Sequence, residues 1–129
     1  MARILLLILI HTLADYFFQG KKLRRMKAFK PPYLFVHVGT YTLLFIILSP
    51  ILLGLTFTQG LIFSLINGSF HLVIDYITGK YKLKFYNTDD TKYYITSGLD
   101  HVLHLIILIA SYVLLYPDAM NTSFSSYFN

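Results

Sequence analysis

Every histidine in the chain (His11, His37, His71, His101 and His104) falls inside or beside an apolar run, and three of its six acids, Asp15, Asp75 and Asp100, fall there too. Their spacing is regular. His11 and Asp15, His71 and Asp75, and Asp100 and His104 each stand four residues apart, with His101 three residues before His104, so each pair shares one helix face. An ionisable group in hydrocarbon costs at least about 2.5–3.5 kcal/mol, so three such pairs are expected to face a common interior rather than lipid. Three carboxylates brought together repel one another unless protons, protonated imidazoles or a cation neutralise them. A divalent metal does so directly. Histidine nitrogen and aspartate oxygen suit zinc, manganese or iron(II), with magnesium less suited to so much imidazole. Cysteine is absent, which removes disulfides, thiolate metal sites and a thiol nucleophile.

The expected metal ligands are His11, Asp15, His37, His71, Asp75, Asp100 and His104. A metal with an open position acidifies water and polarises a scissile bond, and Asp15, Asp75 and His101 are the expected catalytic groups. Gln19 and Asn67 are candidates for substrate contact. Asn67 stands one turn before His71 and Ser64 one turn before Asn67, a placement that helix packing also explains. For any single His/Asp pair, a hydrogen bond tying two helices together is the competing role.

Elements able to hold these groups together are read from the apolar pattern. The 129 residues are 56% hydrophobic and 13% charged, with a mean hydropathy of +0.60. Soluble chains carry roughly a quarter of their residues as charges, which excludes an ordinary water-soluble domain. Apolar runs over about 2–19, 33–53, 61–78 and 97–116 predict an all-α bundle of four transmembrane helices within 1–117, followed by a flexible polar tail, 118–129. The first run is not read as a cleaved signal, because its basic cluster follows it and Asp15 lies inside it. Pro31-Pro32 is suited to starting the second helix, and Pro50 is expected to bend or end it. A tight turn is expected over 54–60, with Gly79 ending the third helix and Pro117 the fourth.

Ten of the eleven Lys and Arg lie in two blocks, 21–30 and 80–92, each directly after an apolar run. Cytoplasmic loops of a multi-pass protein in a bacterial inner membrane explain the formal net charge of +5 more simply than a nucleic-acid surface does. The N-terminus, the 54–60 turn and the C-terminus then lie outside, and all eight His and Asp groups occupy the cytoplasmic leaflet. Tyr81, Tyr86, Tyr93 and Tyr94 place the 79–96 loop against lipid headgroups or over the pocket. The expected partners are the bilayer, a small or lipid-linked substrate and further copies of the chain, with no nucleic acid.

Laid over each other, the two halves align. His11, Asp15, Tyr16, Gly20 and Lys21 correspond to His71, Asp75, Tyr76, Gly79 and Lys80, and His37-Val38 opens its helix as His101-Val102 does. Two repeated helical hairpins of like orientation would give this pattern.

Together, His11-x-x-x-Asp15-Tyr16-x-x-Gln19, His37, His71-x-x-x-Asp75 and Asp100-x-x-x-His104 resemble a family of small bacterial and phage membrane proteins, domain of unknown function 3307, over roughly residues 4–110. The resemblance implies a polytopic protein whose matching residues are His11, Asp15, Gln19, His37, His71, Asp75, Asp100 and His104. The chain departs from that pattern at His101, where glutamine is general, and at Thr78, where lysine is common. More distantly, it is similar to membrane proteins labelled metal-dependent hydrolases from like His and Asp patterns. The leading expectation is therefore a metal-binding membrane protein, with hydrolysis as its chemistry. The alternative is a carrier for a nucleobase-like or cationic solute, using the same groups for binding or proton relay. A non-enzymatic membrane adaptor is the third.

Overall fold

A computed structural model describes residues 2–17 and 21–118. Among them the chain is all-α. Helix α1 (Ala2–Thr12) runs on as a π-helical turn, Leu13–Phe17; then follow a short basic helix α2 (Lys21–Met26), α3 (Pro31–Leu53), α4 (Phe57–Phe85) and α5 (Asp90–Leu115). Three of these, α3, α4 and α5, are long and apolar enough to cross a membrane, which makes the chain a multi-pass membrane protein. The described part of the first helix has 11 α-helical residues and a five-residue π turn, short of a full span by itself.

The packing is turned outward relative to a soluble bundle. Large apolar side chains such as Leu5, Phe35, Ile51, Leu65 and Leu114 are exposed on the outer faces, while His, Asp, Ser and Asn side chains are buried. An apolar core of Phe45, Leu53, Phe63, Leu108 and Tyr112 fills the half of the bundle near the α3–α4 turn. The polar groups gather in the other half, where α1 ends, α3 and α5 begin, and the C-terminal half of α4 passes.

Local signals explain the helix ends. Pro31 and Pro32 occupy the first turn of α3, where a missing N–H is harmless. Gly54 caps α3 in the left-handed conformation at φ 67°, and Thr56 and Gln59 then form a reciprocal capping box that starts α4. The turn is thus shorter than the expected 54–60, and Gly60 lies inside α4. Pro50 remains within α3, whose helix continues to Leu53. A side chain at Gly60 would run into Pro50 and Ser49, and one at Gly68 into Thr42, so these glycines let α4 approach α3 closely.

Gly79 does not end α4. The helix continues through Lys80, Lys82 and Lys84 to Phe85, because Gly79 keeps a helical conformation and packs beside Ala28. The expected 79–96 loop therefore contracts to residues 86–89. Asn87 turns the chain at φ 63°, and the Asp89 carboxylate accepts a hydrogen bond from Lys92 N at 2.9 Å, capping α5. Pro117 lies just beyond the end of α5 at Leu115, as its missing donor requires. Of the expected tail, residues 119–129 lie outside the described residues.

Candidate metal centre

Four side chains from three segments converge on one point. The π turn supplies Asp15, the second turn of α3 supplies His37, and α4 supplies His71 and Asp75 one turn apart. His37 Nε2 lies 3.0 Å from His71 Nε2, 3.1 Å from Asp15 Oδ1 and 3.2 Å from Asp75 Oδ2. His71 Nε2 lies 3.6 Å from Asp15 Oδ1 and 3.4 Å from Asp75 Oδ2. All four residues are buried. Ligands about 2.0–2.1 Å from a tetrahedral ion stand about 3.3–3.4 Å from one another. The five separations, 3.0–3.6 Å, bracket that edge length. Asp15, His37 and His71 could hold a metal ion, as could His71, Asp75 and His104, and such imidazole and carboxylate donors suit zinc, manganese or iron(II).

A lysine reaches the same point. Lys27 Nζ lies 3.1 Å from Asp75 Oδ2, 3.1 Å from His37 Nε2 and 3.8 Å from Asp15 Oδ1. Burial works against the Lys27 charge, but the carboxylates of Asp75 and Asp15 outweigh it and hold the ammonium above its ordinary pKa. In the sequence nothing distinguishes Lys27 from the other basic residues of its block.

The remaining histidines surround this core. His11 is fully buried and its Nδ1 lies 3.0 Å from the Tyr41 hydroxyl. His104 Nδ1 donates to the Asp100 carbonyl at 2.7 Å, and its Nε2 lies 3.7 Å from Asp75 Oδ1. His101 is half-buried, with its ring centroid 5.6 Å from that of His11 and its Nδ1 3.2 Å from the Tyr16 hydroxyl. Tyr41 could have been found in the sequence, four residues after His37 on the same face.

Asp100 stands apart from the other two acids. Its carboxylate accepts from Thr78 Oγ1 at 2.7 Å and from Lys82 Nζ at 2.5 Å. Asn67 is also engaged elsewhere: its amide donates to the Phe63 carbonyl at 2.9 Å and to Ser111 Oγ at 3.0 Å, joining α4 to α5 toward the membrane centre. Gln19 lies outside the described residues.

A cavity of about 270 Å³ opens beside the cluster. Asp15, Asp75 and Asp100 share its wall with Lys27 and Lys82, and Phe29, Tyr86 and Tyr93 supply an aromatic side. Three carboxylates against two ammonium groups leave one negative charge uncompensated when the imidazoles are neutral.

The chain belongs to the family described as "Protein of unknown function (DUF3307)", which matches residues 4–129, further toward the C-terminus than the motifs alone extend. No curated protein and no solved structure matches it. At Thr78, where the resembled pattern commonly has lysine, the hydroxyl and Lys82 one turn later share the Asp100 carboxylate.

Proposed function

We propose that this DUF3307 protein is a metal-dependent membrane hydrolase whose ion is held by Asp15, His37, His71 and Asp75. The observation that carries the reading is the approach of His37 Nε2 and His71 Nε2 to each other and to both carboxylates, 3.0–3.6 Å, close to the separation of two ligands on one tetrahedral ion. In this reading α1 is embedded with α3, α4 and α5, and the two basic segments face the cytoplasm of a bacterial cell, which places the cavity at the inner membrane surface.

A divalent ion bound there supplies Lewis acidity for attack by water on a polarised ester, amide or phosphoester. The protein supplies the remainder. Asp15 on the π turn and Asp75 on α4 would hold the ion. Lys27, in the cavity wall, would compensate negative charge building on a substrate oxygen. Phe29, Tyr86 and Tyr93 offer an apolar wall for a lipid-linked or otherwise amphiphilic substrate.

A carrier would need a path to the opposite surface. Phe45, Phe63, Leu53 and Tyr112 fill that half of the bundle, and each is fully buried, which weighs against a through-path within one chain. The test is elemental analysis of the purified protein together with a hydrolysis screen on lipid-linked and soluble esters and phosphoesters. Bound metal and a turnover abolished by Asp75→Ala support the reading. Metal-free protein that moves a solute into liposomes overturns it in favour of transport.

A further inference from the structure

The four-donor centre leaves three histidines unused, and they are not scattered. His11, Asp15 and His101 offer ligand atoms within 4.8 Å of one another, as do His71, Asp75 and His104. The ring centroids of His11 lie 5.6 Å from His101 and 5.9 Å from His104. In each of the three rings, Nδ1 is engaged from outside: by the Tyr41 hydroxyl in His11, the Tyr16 hydroxyl in His101 and the Asp100 carbonyl in His104. Metal-ligating histidines are held in this way, with one ring nitrogen fixed by an outer partner and the other free for the ion. His11 Nε2 and His104 Nε2 are buried and have no hydrogen-bond partner, an arrangement that costs free energy if nothing else binds there.

The carboxylates also reach both sets of rings. Asp75 turns Oδ2 toward His37 and His71, while its Oδ1 lies 3.7 Å from His104 Nε2. Asp15 turns Oδ1 toward His37 and also belongs to the His11 and His101 group. The internal repeat adds an independent reason. It pairs His71 with His11, Asp75 with Asp15, and His37 with His101. Applied to the four donors of the first centre, this exchange yields His11, His101 and the same two aspartates. Of these four, His11, His101 and Asp15 do offer ligand atoms within 4.8 Å of one another.

We propose that the protein binds a second divalent ion on His11, His101 and His104, with Asp15 and Asp75 bridging it to the first. This rests on the reading of the first centre given above and extends it to a dinuclear site. His101 then acts as a ligand rather than as the general base expected from the sequence. Paired ions bridged by carboxylates clamp both the attacking and the leaving oxygen of an in-line displacement, which favours phosphoesters, including lipid-linked ones, over the other substrates named above.

The experiment is metal loading of the full chain in detergent micelles with manganese(II), followed by removal of excess metal, elemental analysis and electron paramagnetic resonance. The wild type is expected to hold two ions per chain with an exchange-coupled signal. The His11→Gln, His104→Gln variant is expected to hold one ion with the signal of an isolated manganese. One ion per chain and an isolated signal in the wild type itself would overturn the second site while leaving the first standing. No bound ion in the wild type would overturn both. Because the wild-type stoichiometry and coupling decide the matter, a variant that fails to fold does not rescue the proposal.

Discussion

His37 Nε2 faces His71 Nε2 at 3.0 Å, and both nitrogens also lie within 3.6 Å of the Asp15 and Asp75 carboxylates. Two facing imidazole nitrogens can share one proton between them, and the two carboxylates are then balanced only with the help of the Lys27 ammonium. A cation at the shared point satisfies all four. His71→Gln is therefore expected to weaken metal binding by more than the roughly 10–100-fold that loss of an outer hydrogen-bond partner costs. Competition against a chelator of known affinity measures it, and unchanged affinity would remove His71 from the ligand set.

Lys27 gives the metal reading an internal competitor. Its ammonium occupies the same carboxylates, so Lys27→Met is expected to tighten divalent metal binding on the order of tenfold, about 1.4 kcal/mol. The same substitution should lower the stability of the metal-free protein, because Asp15 and Asp75 lose their counter-charge. The raised Lys27 pKa fixes the pH range: its stabilisation is fully present below the unfolded lysine value and is lost only as pH rises through the higher folded value. Metal titration and thermal unfolding of the variant at neutral pH check both parts. Weaker metal binding would show that Lys27 supports the ion instead of competing with it.

The close approach of α3 and α4 holds His37 against His71. A Cβ at Gly68 would meet the Thr42 side chain, so Gly68→Ala is expected to destabilise the protein by about 1–3 kcal/mol. Adding Thr42→Ala should restore much of the loss, since it removes the obstructing atoms. Thermal unfolding in detergent, analysed as a double-mutant cycle, tests the coupling. Additive losses would mean that the helices do not meet there.

The α4 cap offers a contrast far from the site. Thr56 Oγ1 accepts from Gln59 N at 3.2 Å, and Gln59 Oε1 accepts from Thr56 N at 2.9 Å. Thr56→Ala is expected to cost about 1 kcal/mol of stability and to leave metal affinity unchanged. A loss of metal affinity as large as that of His71→Gln would imply that the cluster reports general helix stability rather than local coordination.

Much of the site was legible because burying charge in a membrane is costly. The i, i+4 spacing of His71 and Asp75 needed only a regular helix, and α4 supplies one. The spacing of His11 and Asp15 looks the same in sequence, yet Asp15 lies within the π turn that follows α1, and its Oδ1 reaches His37 on α3. One extra residue separates Asp15 from Gly20, compared with Asp75 and Gly79, and a wider turn accommodates such an insertion. Periodicity cannot distinguish that from a regular helix. Asp100 was grouped with the other acids because spacing alone does not show that Thr78 and Lys82 engage it. Gly79 resembles a helix end in sequence because glycine often is one, but a small residue beside Ala28 serves packing equally well.

Metal content decides most directly between an ion and Lys27 as the group that neutralises Asp15 and Asp75. The full chain, purified in detergent, is loaded with zinc or manganese, freed of excess metal and analysed beside the Asp15→Ala, Asp75→Ala double variant. At least one ion per wild-type chain, and none in the variant, is the predicted result. A wild-type protein that stays folded and retains no metal after loading would contradict it, leaving the lysine ammonium as the cation of a purely structural cluster.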